Sequence, residues 1–300
     1  MKKYISYQTS NGVMYHGKCE DILGLYKQTI EKPVNLIFTS PPFPLKRAKK
    51  YGNMTGEEYL DWLKELAILF SSILADDGSI VIELGNSWET GIPVQSTLPI
   101  EALLAFKNAG NFHLCQEFVH YNPARLPSPI EWVNKKRVRV KDSFTRIWWL
   151  SKNPSPKANN KNVLVPYSRQ MQKLLKTGKY NSGKRPSEHD IGSESFSTDN
   201  GGAIPSNVII ASNTVSNDEY LKYCKNNNLE IHPARMPKEL PEFFINFLTE
   251  KGDLVLDPFA GSNTTGYTAE VLERRWIAIE AEQKYVDGSI GRFSNEILKR

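Results

Sequence analysis

The sequence predicts an α/β domain in three layers, with helices covering both faces of a mostly parallel sheet. Short apolar, β-branched runs recur at Val34–Thr39, Ser79–Leu84, Leu254–Asp257 and Trp276–Glu280. Stretches with helical spacing lie between them, bounded by turn residues. Strand–helix–strand alternation builds parallel sheets buried on both faces, so their strands read as continuous apolar runs.

Taken in order, Val34–Thr39 lies between Pro33 and Pro41 and reads as a buried strand. Glu58 to Leu74 carries Trp62, Leu66, Leu69, Phe70 and Ile73 at helical spacing. Asp76-Asp77-Gly78 predicts a turn that closes this helix before the Ser79–Leu84 strand. Leu254–Asp257 and Trp276–Glu280 are two more strands, joined by a helix of one or two turns beyond Thr264. Ligands of such sheets sit at the carboxyl ends of the strands.

Composition sets the outer bounds. The 300 residues are 40% apolar, enough for a sizeable core. No run approaches the roughly 18 apolar residues of a membrane span. Met1-Lys2-Lys3 starts like a signal peptide, but no apolar segment follows, so the chain reads as soluble and cytoplasmic. Cys19, Cys115 and Cys224 are too few and too scattered for a disulfide framework or a zinc site, and each reads as a small buried or surface residue. The five histidines show no metal spacing. A net charge of +5 is a mild pointer to a polyanionic partner. Three stretches follow from local composition: 1–150, a polar middle at 151–230 rich in Asn, Ser, Lys, Gly and Pro, and a compact 231–300. The middle keeps apolar anchors at Val163-Leu164-Val165 and Val208-Ile209-Ile210, so it reads as an ordered, loop-rich insert rather than a disordered linker.

Two motifs fall at strand ends. The first is Leu254-Val255-Leu256-Asp257-Pro258-Phe259-Ala260-Gly261-Ser262-Asn263-Thr264-Thr265-Gly266. Gly261 admits close approach of a ligand to the backbone. Ser262, Asn263 and Thr264 are N-cap types whose N–H groups would face that ligand. Glu280 ends the next strand, where a carboxylate accepts from ribose hydroxyls. Each piece alone also fits an ordinary strand–helix turn. Together they point to an adenosine-type cofactor. The turn lacks G-x-G-x-x-G and a P-loop lysine, which disfavours a nicotinamide dinucleotide and a nucleoside triphosphate.

The second motif is Thr39-Ser40-Pro41-Pro42-Phe43. Two prolines stop the strand and stiffen the backbone. The Ser40 hydroxyl and the Pro41 carbonyl form a rigid acceptor pair for an amino group, and Phe43 offers a ring face to a planar base. A strand closed by a simple turn would look the same if this motif stood alone.

The pair resembles the DNA amino-methyltransferases, in the order where the catalytic motif precedes the cofactor motif. Their catalytic tetrapeptide is Asp/Asn/Ser-Pro-Pro-aromatic. The Ser-Phe form is typical of cytosine-N4 enzymes and the Asp form of adenine-N6 enzymes. Asn263, where many members have Gly, is similar to the PvuII-type cytosine-N4 enzymes. His232-Pro233-Ala234-Arg235-Met236-Pro237, with the Leu240–Leu248 helix after it, resembles the segment flanking the cofactor methionine. Trp276–Glu280 with Tyr285 resembles the ribose-binding strand. Tyr121-Asn122-Pro123-Ala124 and the 131–150 stretch also look like family material.

The resemblance covers nearly the whole chain outside fine detail in 151–230. It implies a Rossmann-like, S-adenosylmethionine-dependent methyltransferase with a DNA target-recognition insert at 151–230. Ser40, Pro41, Pro42 and Phe43 would be catalytic. Asp257, Phe259, Ala260, Gly261, Ser262, Asn263, Thr264, Thr265 and Glu280 would hold the cofactor. Many relatives carry Gly-Asp where this chain has Gly17-Lys18, so an acid for the adenine falls to Glu20 or Asp21. The reaction would be transfer of a methyl to N4 of a cytosine flipped out of double-stranded DNA. No metal and no cysteine nucleophile is needed. Phe43 and either reading of Tyr121, stacking face or core, bear on how the base is held. Lys46, Arg47, Lys49 and Lys50 directly follow the catalytic tetrapeptide, and Arg169, Lys184 and Arg185 lie in the insert. These seven are candidates for DNA contact, and each equally fits a solvated surface. So does the cluster Lys135–Lys141. A cognate restriction endonuclease and a monomer or homodimer complete the expectation. Adenine-N6 methylation, an RNA methyltransferase and a catalytically inactive DNA-binding relative are the alternatives.

Overall fold

The computed structural model describes residues 1–29, 32–42, 56–179, 183–184, 186–188, 190–192, 198–212 and 218–293. Phe43, Lys46, Arg47, Lys49, Lys50 and Arg185 lie outside the described residues. Two compact units result, one of 1–158 with 207–300 and one of 159–206. The compositional stretch 151–230 therefore does not fall within one unit: 151–158 and 207–230 belong with the larger.

In the larger unit, β1 (Ile5–Gln8) and β2 (Gly12–His16) lead into α1 (Cys19–Gln28). Then come β3 (Val34–Thr39), α2 (Gly56–Ile73), β4 (Leu74–Gly85), α3 (Leu98–Ala109), β5 (His113–Tyr121) and β6 (Phe144–Ser151). The smaller unit holds a 3-10 turn at Asn160–Val163, capped by the Asn159 side chain, and α4 (Arg169–Thr177). Ser168 caps α4 at its start and Gly178, at φ 63°, ends it in the left-handed conformation. A two-residue ladder joins β7 (Gly183–Lys184) to β8 (Asp190–Ile191). The larger unit resumes with β9 (Val208–Ile210), α5 (Glu219–Asn226), α6 (Glu239–Leu248), β10 (Leu254–Asp257), α7 (Thr264–Val271), β11 (Arg275–Glu280) and α8 (Gln283–Ser289).

Among the described residues, nine strands form one sheet in the order β1-β2-β11-β10-β3-β4-β6-β5-β9. Its centre, β2-β11-β10-β3-β4, is parallel throughout. Antiparallel β6 and β5 extend one side, and β9 adds parallel to β5 at that edge. The apolar triplet Val208-Ile209-Ile210 is thus part of the main sheet.

Alternation along the strands separates two cores. Leu254, Leu256, Ile277 and Ile279 face α1, α2 and α3, which bury Ile22, Leu66 and Phe106 among others. Val255, Trp276 and Ala278 face the opposite layer, where α6, α7 and α8 bury Phe244, Ala269 and Val286. This is the three-layer α/β/α architecture expected.

One local expectation fails informatively. Asp76-Asp77-Gly78 does not form a separate turn between helix and strand, because α2 runs directly into β4. Register along β3 steps from Val34↔Leu74 to Leu36↔Ser79, so these residues bulge out of a continuous strand. The bulge is satisfied by polar partners. Ser151 Oγ donates to the Gly78 carbonyl at 2.7 Å, and Lys152 Nζ donates to the Leu74 carbonyl at 2.7 Å. Turn residues and bulge residues are the same residue types, so sequence alone does not separate them.

Glycine spacing tests the packing of β2 on β11. A Cβ at Gly12 would lie 2.2 Å from ring carbons of Trp276, which is fully buried. Gly12→Ala is expected to destabilise the fold by about 1–3 kcal/mol in a denaturation midpoint. Gly24→Ala in α1, where nothing lies within 4 Å, should instead stabilise by about 0.5–1 kcal/mol.

Candidate active site

The sheet reverses direction of growth between β10 and β3. The chain goes from β3 through α2 to β4 on one side, and from β10 through α7 to β11 on the other. Such a switch point leaves a crevice at the carboxyl ends of the two strands. A cleft of about 1420 Å³ opens there. It exceeds the roughly 300–1,000 Å³ of a typical one-ligand pocket, so a cofactor and a second planar group fit together.

Asp257, the last residue of β10, organises the crevice. Its buried carboxylate accepts from Thr39 Oγ1 at 2.8 Å, Thr265 Oγ1 at 2.6 Å and the Phe259 N–H at 3.1 Å. Burial pushes its pKa up, and these three donors oppose that shift. Thr39 ends β3 and immediately precedes Ser40. The hydrogen bonds therefore tie the two sequence motifs, 218 residues apart, to one carboxylate. Ser40, Pro41 and Pro42 line the same cleft as Asp257, Phe259, Ala260, Gly261, Ser262, Thr264, Thr265 and Glu280.

One role inside the glycine turn differs from that expected. The Gly261 N–H donates to Glu280 Oε2 at 2.8 Å, and the Asn263 N–H, expected to face a ligand, donates instead to the Ala260 carbonyl at 2.7 Å. Gly261 has φ 51°, and a Cβ there would sit 2.9 Å from His232 Nε2, so the position admits only glycine comfortably. Asn263 is fully buried and is not among the residues lining the cleft. Its side chain caps α7 by accepting from the Gly266 N–H at 3.0 Å and donates to Tyr7 Oη at 3.0 Å. It holds the glycine turn from behind. Ser262 lines the cleft, but its Oγ accepts from Arg292 at 2.9 Å. Arg292 also donates to the Ser262 carbonyl and lies 4.9 Å from the Tyr220 ring.

Glu280 ends β11 within the cleft. Burial raises its pKa, while the Glu282 and Gly261 N–H groups favour its ionised form. Each carboxylate oxygen has a further lone pair for a ligand hydroxyl. At the start of α1, Glu20 and Asp21 both line the cleft. Glu20 Oε1 accepts from the Trp62 indole N–H at 2.6 Å, and the Trp62 ring lies 5.5 Å from that of Phe259. Asp21 is exposed. His232, Ala234, Arg235, Met236 and Pro237 line the cleft too. The His232 ring meets Tyr285 edge to face at 4.4 Å, and Arg235 pairs with Asp218 at 3.2 Å. Cys19 and Cys224 are buried and Cys115 half-buried. Burial pushes the Cys19 thiol well above its ordinary pKa, which suits a packing role. Tyr121 is exposed and not among the lining residues, whereas its neighbour Asn122 is buried there.

Sequence reasoning missed a buried polar trio in the cleft. Glu83 of β4, His120 of β5 and Thr145 of β6 are all buried and line it. His120 Nδ1 lies 2.9 Å from Glu83 Oε1, and its Nε2 lies 3.1 Å from the Ala211 carbonyl. Thr145 Oγ1 donates to the same Glu83 oxygen at 2.6 Å. Both imidazole nitrogens face acceptors, the pattern of a protonated ring. Burial pulls the His120 pKa down, but Glu83 and the Ala211 carbonyl outweigh it and leave it raised. The one available signal was a lone carboxylate inside the apolar run Ile80-Val81-Ile82-Glu83-Leu84.

Of the candidate DNA contacts, Arg169 is the first residue of α4 and Lys184 lies in β7, both exposed. No residue of α4 is buried. Among the described residues no helix is long and apolar enough to cross a membrane.

A doubly covered sheet with its cleft at the switch point, and a rigid Ser-Pro-Pro strand end opposite a glycine turn, defines the α/β/α methyltransferase class. A family model described as DNA methylase matches residues 34–291, and the chain belongs to that family. It is 46% identical over 290 residues to the type II methyltransferase M.PvuII of Proteus hauseri, covering 96% of this chain and 85% of that protein. It is 27% identical over 281 residues to M.BglII of Bacillus subtilis, covering 91% and 66%. A solved structure of a PvuII DNA methyltransferase (cytosine-N4-specific) superposes with a TM-score of 0.78 at 38% identity, covering 97% of this chain and 89% of that one. The fold also matches an M1.HpyAVI–SAM complex, with a TM-score of 0.56 at 21% identity and coverage of 93% and 97%.

The trio yields a pH dependence of defined sign. A histidine whose folded pKa is raised contributes stability that is complete below its unfolded value of about 6.5, and that contribution disappears as pH rises through the raised folded value. The stability gap between wild type and His120→Phe, from urea midpoints at several pH values, should therefore be larger below pH 6.5 and shrink toward pH 8.5. A gap that widens with rising pH would show His120 to be neutral in the fold.

Proposed function

We propose that this enzyme transfers a methyl group from S-adenosylmethionine to the exocyclic N4 of a cytosine flipped out of duplex DNA. The observation that carries this reading is the Thr39–Asp257–Thr265 hydrogen-bond set, which fastens Ser40-Pro41-Pro42 beside the cofactor turn. The relative named cytosine-N4-specific, alike over nearly the whole chain, supports the same product.

The chain's own groups fit the donor. Glu280 offers acceptors for ribose hydroxyls. Phe259 and Trp62 supply apolar ring surface, and Glu20 and Asp21 stand at the adjoining helix start. When bound, S-adenosylmethionine supplies an activated methyl on a sulfonium.

Everything else falls to the Ser-Pro-Pro strand end. The cytosine N4 lone pair is delocalised into the ring, so the nitrogen is a weak nucleophile. The half-buried Ser40 hydroxyl and the carbonyl of buried Pro41 accept from the amino group and favour its tetrahedral form. Proline at 41 and 42 removes backbone N–H donors and narrows the conformations of this acceptor pair, so geometry and proximity supply the acceleration. A base within a stacked duplex cannot reach such a cleft, hence the flipped state. Phe43 would stack on the flipped base.

Target reading belongs to the 151–230 stretch, with Arg169, Lys184 and Arg185 toward the bases or phosphates. Lys46, Arg47, Lys49 and Lys50 would contact phosphates beside the catalytic strand end. The type II names of the relatives support a modification enzyme paired with a restriction endonuclease of the same specificity.

Expression in a methylation-free host should place N4-methylcytosine in host DNA, read by nucleoside mass spectrometry. N6-methyladenine alone would contradict the reading. Ser40→Ala should lower the single-turnover rate on the order of a hundredfold and leave cofactor affinity and melting temperature unchanged. A wild-type rate for Ser40→Ala would remove the acceptor role.

A further inference from the structure

A β-hairpin of this sheet carries a connection much longer than its strands need. β5 and β6 pair antiparallel from Tyr121↔Phe144 outward, yet residues 122–143 separate them, where hairpin loops usually take about 2–5 residues. This loop is tightly braced. The Asn122 N–H donates to the Ser143 carbonyl at 2.9 Å, and the Asp142 N–H donates to the Ser128 carbonyl at 2.9 Å. Arg125 Nη1 donates to the Phe144 carbonyl at 3.0 Å, and Lys141 Nζ reaches the Pro123 carbonyl at 3.2 Å. Asn86 Nδ2 ties down Asp142 at 2.9 Å. A single π turn at Glu131–Lys135 completes the frame.

Such bracing normally buries apolar side chains. Here Leu126 is 80% exposed, Ile130 60% and Val140 86%. Residues 125–142 also carry six cations against two carboxylates, Glu131 and Asp142. Glu131 is paired with Lys135 at 3.0 Å and Asp142 is held by Asn86, so the positive excess remains. Rigid apolar tips among cations match what a nucleic-acid duplex offers: phosphates for the cations and base faces for the wedge. Position decides which tip matters. Arg125, Leu126 and Ser128 line the same cleft as Ser40 and Pro41, and Leu126 is followed by Pro127 and stands outside the cleft's buried floor.

We infer that the β5–β6 loop is a duplex-DNA docking surface, in which Leu126 enters the base stack where the target cytosine has left it and Lys136 and Arg137 hold the adjoining phosphates. Leu126 fills the gap and stops the cytosine from re-stacking, which keeps it in the cleft. The inference rests on the base-flipping methyltransferase reading.

The test uses the intact enzyme and a duplex bearing the site found by sequencing modified host DNA. Single-turnover rates are compared on the fully paired duplex and on one with an abasic position opposite the target cytosine. Leu126→Ala should be slower by about tenfold or more on the paired duplex, roughly one unstacking penalty. It should return to within about twofold of wild type on the abasic one, where the cytosine has no partner to re-pair with and returning to the duplex competes far less. Leu126→Met should behave as wild type. Lys136→Gln with Arg137→Gln should lower the salt slope of DNA binding by about two, with the rate on bound DNA unchanged. Leu126 is so exposed that melting temperature should not move.

A wild-type rate for Leu126→Ala on the paired duplex, or an equal loss on both duplexes, overturns the wedge. So does a change in sedimentation, which would make the loop a contact between copies of the chain. If wild-type enzyme modifies neither duplex, the function reading itself falls and the wedge with it.

Discussion

One buried carboxylate holds this structure's working parts together. Asp257 takes three donors, from the end of β3, from the turn after β10 and from the first turn of α7. A buried carboxylate without donors would be strongly destabilising, so each of these elements is needed for the others to sit where they do. The consequence is geometric. The Ser-Pro-Pro acceptors and the glycine turn come from opposite ends of the chain, and the switch point of the sheet is the one place where their strands lie side by side.

Around that carboxylate the polar groups divide into two sets. Asn263 and Arg292 work behind the turn. They satisfy Tyr7, the Gly266 N–H and the Ser262 carbonyl, and so present the turn to the cleft without facing a ligand. Burial pushes the Tyr7 phenol up to about 12, so it stays a neutral hydrogen-bonding partner at any physiological pH. Glu280, Glu20, Ser40 and the Glu83–His120–Thr145 trio instead face the cleft itself. The trio joins β4, β5 and β6, and through the Ala211 carbonyl it also fixes the chain just beyond β9. The cleft floor is thereby continuous from the glycine turn to the base of the β5–β6 loop.

Much of this was legible in the sequence where the signal is local. Val34–Thr39 and Leu254–Asp257 were readable to the residue because each is a short, mostly apolar run, the first bracketed by Pro33 and the Ser40-Pro41-Pro42 turn and the second closed by its own acid. The α2 and α6 helices followed from spacing and resemblance. What was not legible depends on register between distant strands. Glu83 meets Thr145 across 62 residues and His120 across 37, and no spacing rule encodes that. Asn263 looked like a ligand-facing cap because its partner Tyr7 lies 256 residues away. Val208–Ile210 looked like an anchor for an insert because an edge strand of three residues carries no periodicity of its own.

Asp257 couples the Ser-Pro-Pro strand end to the glycine turn, and Thr39→Val tests that coupling most directly. The change keeps the side chain's shape and deletes one donor to Asp257, leaving a buried acceptor short by a bond worth roughly 1–3 kcal/mol. Titration calorimetry with S-adenosylmethionine is the measurement. With the coupling in place, cofactor affinity should fall about fivefold or more, although Thr39 ends the strand that leads into Ser40. Wild-type cofactor affinity in a folded Thr39→Val enzyme would contradict the account.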